Sequence, residues 1–533
     1  MEKFFNTAGP IKATMHYYIP PLERVDWPEI QHLIASGKYF VLHAPRQTGK
    51  TSALLEMMAV LNAAGHYSAL YANIEGAQAA RSNVEHGVAT ICEAIAQSAK
   101  LYLKEARLAA WLHTESNQTP AGNRLQQLLT YWAVISDRPC ILLLDEVDAL
   151  IGDTLISLLR QIRAGYAQRP EAFPQSIVLC GVRDIRDYRM HSPDAEIVTG
   201  GSAFNIKAES LRLGNFNKNE IRRLFAQHTD STGQVFDAGL FRPLWEDTRG
   251  QPWLVNALGY ELTWNDREAR DRKVPITLEK YQTARDRIIY SRTTHLDQLT
   301  DKLKEPRVRR VMEPILKGDD SSGQLHPDDV SYVEDLGLIE QTLSGAIQIS
   351  NRIYQEVIPR ELAYGSQLAI TQETLWYLTP DRRLNMPKLL DAFQQFFREH
   401  ADIWLQGFDY KEAGPQILMQ AFLQRIVNGG GRIHREYALG RKRTDLFIEW
   451  PLDKMEGLHG PKQHVVIELK LLRHGLDKTL ADGLVQTSAY ADQVGADEAY
   501  LIIFDRDPQR TWTDKIWQTE YQQNNRSIKV WGC

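Results

Sequence analysis

The run Tyr39-Phe-Val-Leu-His43 leads without interruption into Ala44-Pro-Arg-Gln-Thr-Gly-Lys-Thr51, and a helical apolar pattern over 51–61 follows at once. A buried strand that ends in a tight loop opening a helix leaves a row of backbone N–H groups aimed at one spot. That is a seat for phosphate. Pro45, Arg46, Gln47, Thr48, Gly49, Lys50, Thr51 and Ser52 are therefore the candidate nucleotide-binding residues. Gly49 lets the backbone pass close to the ligand, Lys50 brings a point charge to the β- and γ-phosphates, and the Thr51 hydroxyl is a ligand for Mg²⁺. Ala44 stands where such loops usually begin with glycine, which a negative φ tolerates.

A second run supports the first. Ile141-Leu-Leu-Leu-Asp145-Glu146 is a strand buried on both faces, with two carboxylates emerging at its end. In open α/β sheets ligands sit at that edge. Asp145 is expected to hold Mg²⁺ and Glu146 to orient or deprotonate the attacking water. Asp148 reads as a helix cap or a surface acid. Arg183, at the end of the run Ile177–Arg183, is the candidate γ-phosphate sensor, with a plain surface arginine as the alternative. Arg186 and Arg189 either reach a neighbouring subunit or are solvated charge.

Length and composition bound the rest. The 533 residues are 43% hydrophobic, enough for about three or four domains. Net charge is -5, so any nucleic-acid contact must come from local patches. Cys92, Cys140, Cys180 and Cys533 form no CxxC pair and read as reduced residues of a cytoplasmic protein. No apolar stretch reaches the roughly 18 residues of a membrane span, and the N-terminus lacks the apolar core of a signal peptide.

The fold class is α/β and multidomain. Residues 1–290 alternate strand-like runs (39–43, 68–73, 140–144, 177–180) with helical stretches, which predicts a parallel-sheet P-loop domain with a helical lid. Residues 291–365 read as a winged-helix-like module, with amphipathic stretches at 310–316 and 328–336 and then two wing strands around Gly345; a generic helical lid on the ATPase domain is the alternative. Residues 366–405 are a helical connector. Residues 406–533 form a last α/β domain, with a helix opening at Gly414-Pro415, strands at 433–439, 444–448 and 465–469, a helix at 480–493 and a strand at 499–504.

That last domain carries a second constellation. Asp445 sits early in one strand and Glu468 and Lys470 share the next, where positions i and i+2 face the same side. Two carboxylates offer hard oxygen ligands to Mg²⁺, and Lys470 can orient water or offset negative charge developing at phosphorus. Six basic residues between Arg425 and Arg443 face one acid, a patch suited to phosphate. Without a base-reading motif, it suits backbone rather than sequence recognition.

Two resemblances follow. The lead-in, Ala44–Ser52, Asp145-Glu146, Ser202-Ala-Phe-Asn-Ile206, Leu213-Gly-Asn-Phe216, Gly250-Gln-Pro-Trp-Leu-Val-Asn256 and Ile349-Ser-Asn-Arg-Ile-Tyr354 resemble AAA-like, STAND-related bacterial ATPases over about residues 15–365. This implies a regulated ATP switch able to form homo-oligomers, with Gly250–Pro252 either close to the nucleotide or simply a helix-start turn. Helicase motifs are not recognisable. Residues 406–533 resemble the PD-(D/E)xK nuclease superfamily, with Thr444 in place of its proline. The resemblance adds Glu412 as an extra metal ligand, or else a helix N-terminal charge, and Gln486 and Tyr490 as a Gln-x-x-x-Tyr pair on one helix face. The combined expectation is an ATP-regulated, Mg²⁺-dependent DNA endonuclease, of the kind used against foreign DNA. The alternatives are a nucleotide-switch sensor that binds DNA without cutting, or a repair or mobile-element nuclease.

Overall fold

A computed structural model describes residues 2–115, 119–183, 189–191, 197–199, 207–290, 301–317, 325–342, 347–362, 377–407, 414–427, 431–435, 446–453, 460–472, 475–507 and 509–533. They fall into two compact units, Met1–Ala284 with Glu334–Gly337, and Arg285–Val333 with Leu338–Cys533.

The first unit is built on strands β1 (Tyr39–His43), β2 (Ser68–Asn73), β3 (Cys140–Asp145), β4 (Ser176–Gly181) and, after a small hairpin of β5 (Arg189–His191) and β6 (Ile197–Thr199), β7 (Lys207–Arg212). Their order is β2-β3-β4-β1-β7, every neighbouring pair parallel. The first four are apolar at nearly every position because both faces are covered. Phe40, Leu42, Tyr71, Leu143 and Val178 pack with the helix Lys50–Ala63. Their neighbours Val41, Leu70, Leu142, Leu144 and Leu179 pack with the helices Val84–Ser98, Ala121–Ile135 and Gly152–Gly165. Each such leucine removed from water contributes roughly 1.5–3 kcal/mol. Strand β7 was not legible as an apolar run. It pairs only with β1, and its sequence Lys-Ala-Glu-Ser-Leu-Arg is that of an edge.

In the second unit, the helices Pro306–Lys317 and Pro327–Asp335 are tied by Asp329, which accepts from Arg307 Nε at 2.6 Å and Arg310 Nη2 at 2.7 Å. Strands β8 (Ile339–Gln341) and β9 (Ile347–Ile349) pair antiparallel where the two wing strands were expected, and Gly345 lies outside the described residues. The helix Met386–Gly407 follows.

The helix Gly414–Val427 then precedes a six-stranded sheet of β10 (Arg432–Arg435), β11 (Leu446–Pro451), β12 (Lys462–Leu471), β13 (Glu498–Phe504), β14 (Trp517–Gln523) and β15 (Arg526–Gly532). Its order is β10-β11-β12-β13-β15-β14; β12, β13 and β15 run parallel and the other pairs antiparallel. One face (Ile433, Leu446, Ile448, Val465, Ile467, Ile502) packs with Leu389, Phe393, Leu418 and Phe422. The other packs Val466, Leu501 and Ile503 against Leu484, Tyr490 and Ala491 of the helix Leu476–Val494. The β14–β15 hairpin was not anticipated. Its turn residues Asn524 and Asn525 have φ of 51° and 61°, the pair of left-handed positions a two-residue hairpin turn requires, so Asn-Asn was the available signal.

All four cysteines are free and buried. Among the described residues no helix is long and apolar enough to cross a membrane.

Candidate functional site

The strand–loop–helix reading is realised at β1. Gln47 (φ 57°) and Gly49 (φ 97°) turn the chain, and Lys50 opens the helix Lys50–Ala63 with Gly49 as its cap. Thr48 is buried, and its hydroxyl donates to the Pro45 carbonyl at 2.7 Å. Lys50 is folded onto the loop instead of reaching outward: Nζ donates to the carbonyls of Ala44 at 3.0 Å and Pro45 at 3.1 Å. Ser52 accepts from the Ile11 amide at 3.0 Å and so ties the N-terminal segment to the helix. A cavity of about 270 Å³ opens over the loop. Gln47 through Ser52 and Glu146 line it, together with Arg24, Phe216, Pro252, Trp253 and Asn256. Pro45, Arg46, Asp145 and Arg183 are not among its lining residues.

The carboxylates arrive on β3. Strand β4 lies between β1 and β3, and parallel pairing brings the C-terminal ends of all three to one edge. Asp145 is fully buried. Its Oδ2 accepts from the Thr51 hydroxyl at 2.7 Å and from the Tyr71 phenol at 3.0 Å, while Oδ1 accepts from the Glu146 amide at 3.0 Å. This hydroxyl–carboxylate pair is a hard-oxygen donor set suited to Mg²⁺. Glu146 has φ of 60°, a left-handed backbone rare outside glycine and asparagine. Burial, then the charge of Asp148, raises its pKa; Lys50 opposes the shift. A half-buried carboxyl with raised basicity on the cavity wall is what a general base needs. Asp148 is no simple cap or surface acid: its Oδ1 accepts from the Val182 amide at 3.1 Å and joins the ends of β3 and β4. Arg183 follows β4 at that edge, partly buried, and Arg186 lies outside the described residues.

Sequence reasoning missed Arg24 and Tyr71. Arg24 donates from Nε to the Gly214 carbonyl at 2.9 Å and from Nη2 to the Thr48 carbonyl at 2.7 Å, and it stacks over Phe216. Burial lowers its pKa to about 10, with Glu220 opposing. Neither residue belongs to a spaced motif. Only the tertiary fold brings Arg24 to the loop and Tyr71 to Asp145.

In the second unit Glu468 has no exposed surface on β12, and Lys470 Nζ stands 2.5 Å from its Oε1. Lys470 also donates to Gln486 Oε1 on the helix Leu476–Val494. Glu468, Lys470 and Gln486 therefore meet; strand alternation put the first two on one face, and Gln486 is the residue that the resemblance added. Tyr490 is on the same helix but packs into the apolar cluster with Val466 and Leu501. Asp445 and Glu412 lie outside the described residues; Leu446, the first described residue of β11, pairs with Ile467, next to Glu468. Of the six basic residues between 425 and 443, Arg432 is spent inside the unit, where Nη2 pairs with Asp286 at 3.2 Å. Its side chain is only 13% exposed, so it does not add to a free basic patch. Arg441, Lys442 and Arg443 lie outside the described residues. Among the described residues no group of three or more His, Cys, Asp or Glu is arranged to hold a metal.

A search of curated proteins finds no match. Solved structures show distant likenesses. The Walker-type ATPase PABY2304 of Pyrococcus abyssi shares 13% identity at a TM-score of 0.45, over 66% of this chain and 99% of that one. Cdc6p from Pyrobaculum aerophilum shares 14% at 0.35, over 64% and 96%. The RuvB Holliday junction branch migration motor of Thermotoga maritima shares 12% at 0.32, over 62% and 95%. The profile of one family, the AAA-like domain, spans residues 6–359, well over half of the chain and the whole of the phosphate-loop cavity, and the protein belongs to that family.

Proposed function

We propose that this protein is an ATP-regulated, Mg²⁺-dependent DNA endonuclease. The observation that carries the cutting half is the meeting of Glu468, Lys470 and Gln486 on one sheet face. A carboxylate with no exposed surface is costly unless something compensates it. Here a lysine two residues away does so, and that lysine is itself positioned by a glutamine from the next helix.

In the nucleotide half, Lys50 leaves the Ala44 and Pro45 carbonyls to meet the β- and γ-phosphates. Thr51 and Asp145 would hold Mg²⁺, which supplies charge neutralisation at the phosphates. Glu146 takes the proton of the attacking water. In the cutting half, Glu468 and, by sequence, Asp445 would hold the second cation, and Lys470 offsets charge at the reacting phosphate. Nucleotide occupancy is the regulator, and defence against foreign DNA is the biological setting that the sequence resemblance implies.

The test is a supercoiled-plasmid nicking assay with Mg²⁺. The expected outcome is nicking by the wild type with ATP, loss in Lys470→Ala and Glu468→Gln, and loss in Lys50→Ala. Background-level signal from all forms favours a DNA-binding switch without cutting, and full nicking by Lys50→Ala removes the regulation. Plating efficiency of phage on cells carrying the wild type or Glu468→Gln tests the setting.

A further inference from the structure

Beside Glu468 and Lys470, the same sheet face carries a row of rings that none of the chemistry above uses. Alternation on β12 puts His464, Val466, Glu468 and Lys470 on one side, since Val465, Ile467 and Leu469 pack into the opposite core. On β11, Leu446 and Ile448 point to that opposite core, so Phe447 and Glu449 share the side of Glu468. On β10 the same holds for His434, because Ile433 is in the opposite core. Pairing then aligns them: His434 opposite Phe447, Phe447 opposite Val466, and Glu449 opposite His464.

The rings form a stack across the strands. His434 and Phe447 are 5.7 Å apart at 28°, and Phe447 and His464 are 5.4 Å apart at 44°. Glu449, on the same side, fixes the row. It accepts from His434 Nε2 at 2.7 Å and Lys462 Nζ at 2.7 Å, with His464 Nε2 at 3.8 Å. Strand β10 is the edge of this sheet among the described residues, so no further strand pairs beyond His434. One face of its imidazole lies on Phe447, and the side chain remains 36% exposed. Val466, opposite Phe447, is two residues from Glu468, about 7 Å along the strand.

We propose that His434, backed by Phe447 and His464, is a stacking platform for a base of an unpaired DNA strand lying across this face toward Glu468. A partly exposed ring held rigidly is what binds single-stranded nucleic acid without reading its sequence, because every base has a π-face. In a duplex those faces are stacked on each other and cannot reach the platform. Glu449 and Phe447 fix the His434 ring beforehand, so little ordering cost remains for binding. The substrate class rests on the cutting reading, but the platform is testable without cutting.

The full-length protein is titrated in EDTA against a fluorescently labelled 12-nucleotide DNA strand and its duplex, with anisotropy as the readout. The expected result is tighter binding of the single strand, weakened about tenfold in His434→Ala and restored in His434→Phe, which returns a ring. Duplex binding stays within about twofold throughout. Phe447→Leu, which removes the backing ring and keeps the bulk, weakens single-strand binding in the same direction. Unchanged single-strand affinity in a His434→Ala protein with wild-type melting temperature overturns the platform. So does a uniform loss for strand and duplex alike, and tighter binding of RNA of the same sequence overturns DNA as the occupant. A wild type that shows this binding pattern but nicks nothing keeps the platform and removes the cutting reading.

Discussion

The hydroxyl of Thr51 donates to Oδ2 of Asp145 across 2.7 Å, although 94 positions separate them in the chain. The helix that begins in the phosphate loop and the strand that ends in the carboxylate thus share one hydrogen bond at the edge of the first sheet. Tyr71 makes the second contact to the same oxygen.

The Tyr71 contact is expected to set where that carboxylate points. Tyr71→Phe keeps the ring in its apolar site and deletes the hydrogen bond to Asp145. The cost in stability should be on the order of 1 kcal/mol. ATP turnover should fall several-fold and require more Mg²⁺ for half-maximal rate, while nucleotide affinity measured without Mg²⁺ stays the same. An unchanged Mg²⁺ requirement would show that Tyr71 only packs.

Glu146 carries a pH signature. Its folded pKa is raised by burial and by Asp148, so ionising it in the folded state costs stability. That cost is absent below the ordinary carboxylate range and complete above the raised value. Glu146→Gln should therefore melt higher than wild type at pH 7–8 and lose the advantage as pH falls below about 4. The same variant should hydrolyse ATP about 10²- to 10⁴-fold more slowly. Melting curves across pH and a steady-state phosphate-release assay check the two halves.

Gly250 is a position where only glycine fits. It has φ of 72°, and a Cβ there would stand 1.8 Å from the Phe216 carbonyl oxygen. The Phe216 amide also donates to the Gly250 carbonyl at 2.9 Å, which draws the two segments together. Gly250→Ala should separate the strand of contacts that carries Phe216 and Pro252 to the cavity. A loss of about 2–4 kcal/mol is expected. A melting temperature within 2 °C of wild type would contradict this; a drop of several degrees is expected.

Glu449 titrates in the opposite sense to Glu146. Burial pushes its pKa up, but hydrogen bonds and charge from His434 and Lys462 outweigh it and bring the value to about 2. A depressed folded pKa contributes stability above the ordinary carboxylate value, lost as pH falls toward 2. Glu449→Gln should be less stable than wild type at pH 7 by about 2 kcal/mol. The difference should shrink through pH 4 and vanish near pH 2. Denaturant midpoints at pH 7, 4 and 2.5 measure it.

Much of this was legible in the chain. The apolar runs at 39–43, 68–73, 140–144 and 177–180 announce a sheet covered on both faces, because a continuous apolar strand has no other stable location. Gly49-Lys50-Thr51 and Asp145-Glu146 were readable because a glycine–lysine–hydroxyl loop after a buried strand, and a carboxylate pair at the end of another, are residue patterns of the AAA-like family. Glu468 and Lys470 were readable because a strand repeats every two residues. Strand β7 was hidden by its edge composition, and the β14–β15 hairpin by polar alternation without an apolar run.

What the residue order settles here is local: which segments are strands, where loops turn, and which side chains share a face. Those follow from backbone periodicity and from the few residues able to take a left-handed φ. Contacts across strands were left to the fold. That Arg24 closes on the loop, that Tyr71 reaches Asp145, and that three rings line up beside Glu449 depend on how distant segments pack, and the fold of Lys50 onto the Ala44 and Pro45 carbonyls is a local choice that no residue pattern shows. Apart from the Lys50 contacts, which stay within one loop, such pairings join positions more than ten residues apart, and only the burial of two whole cores selects one register among those the local pattern allows.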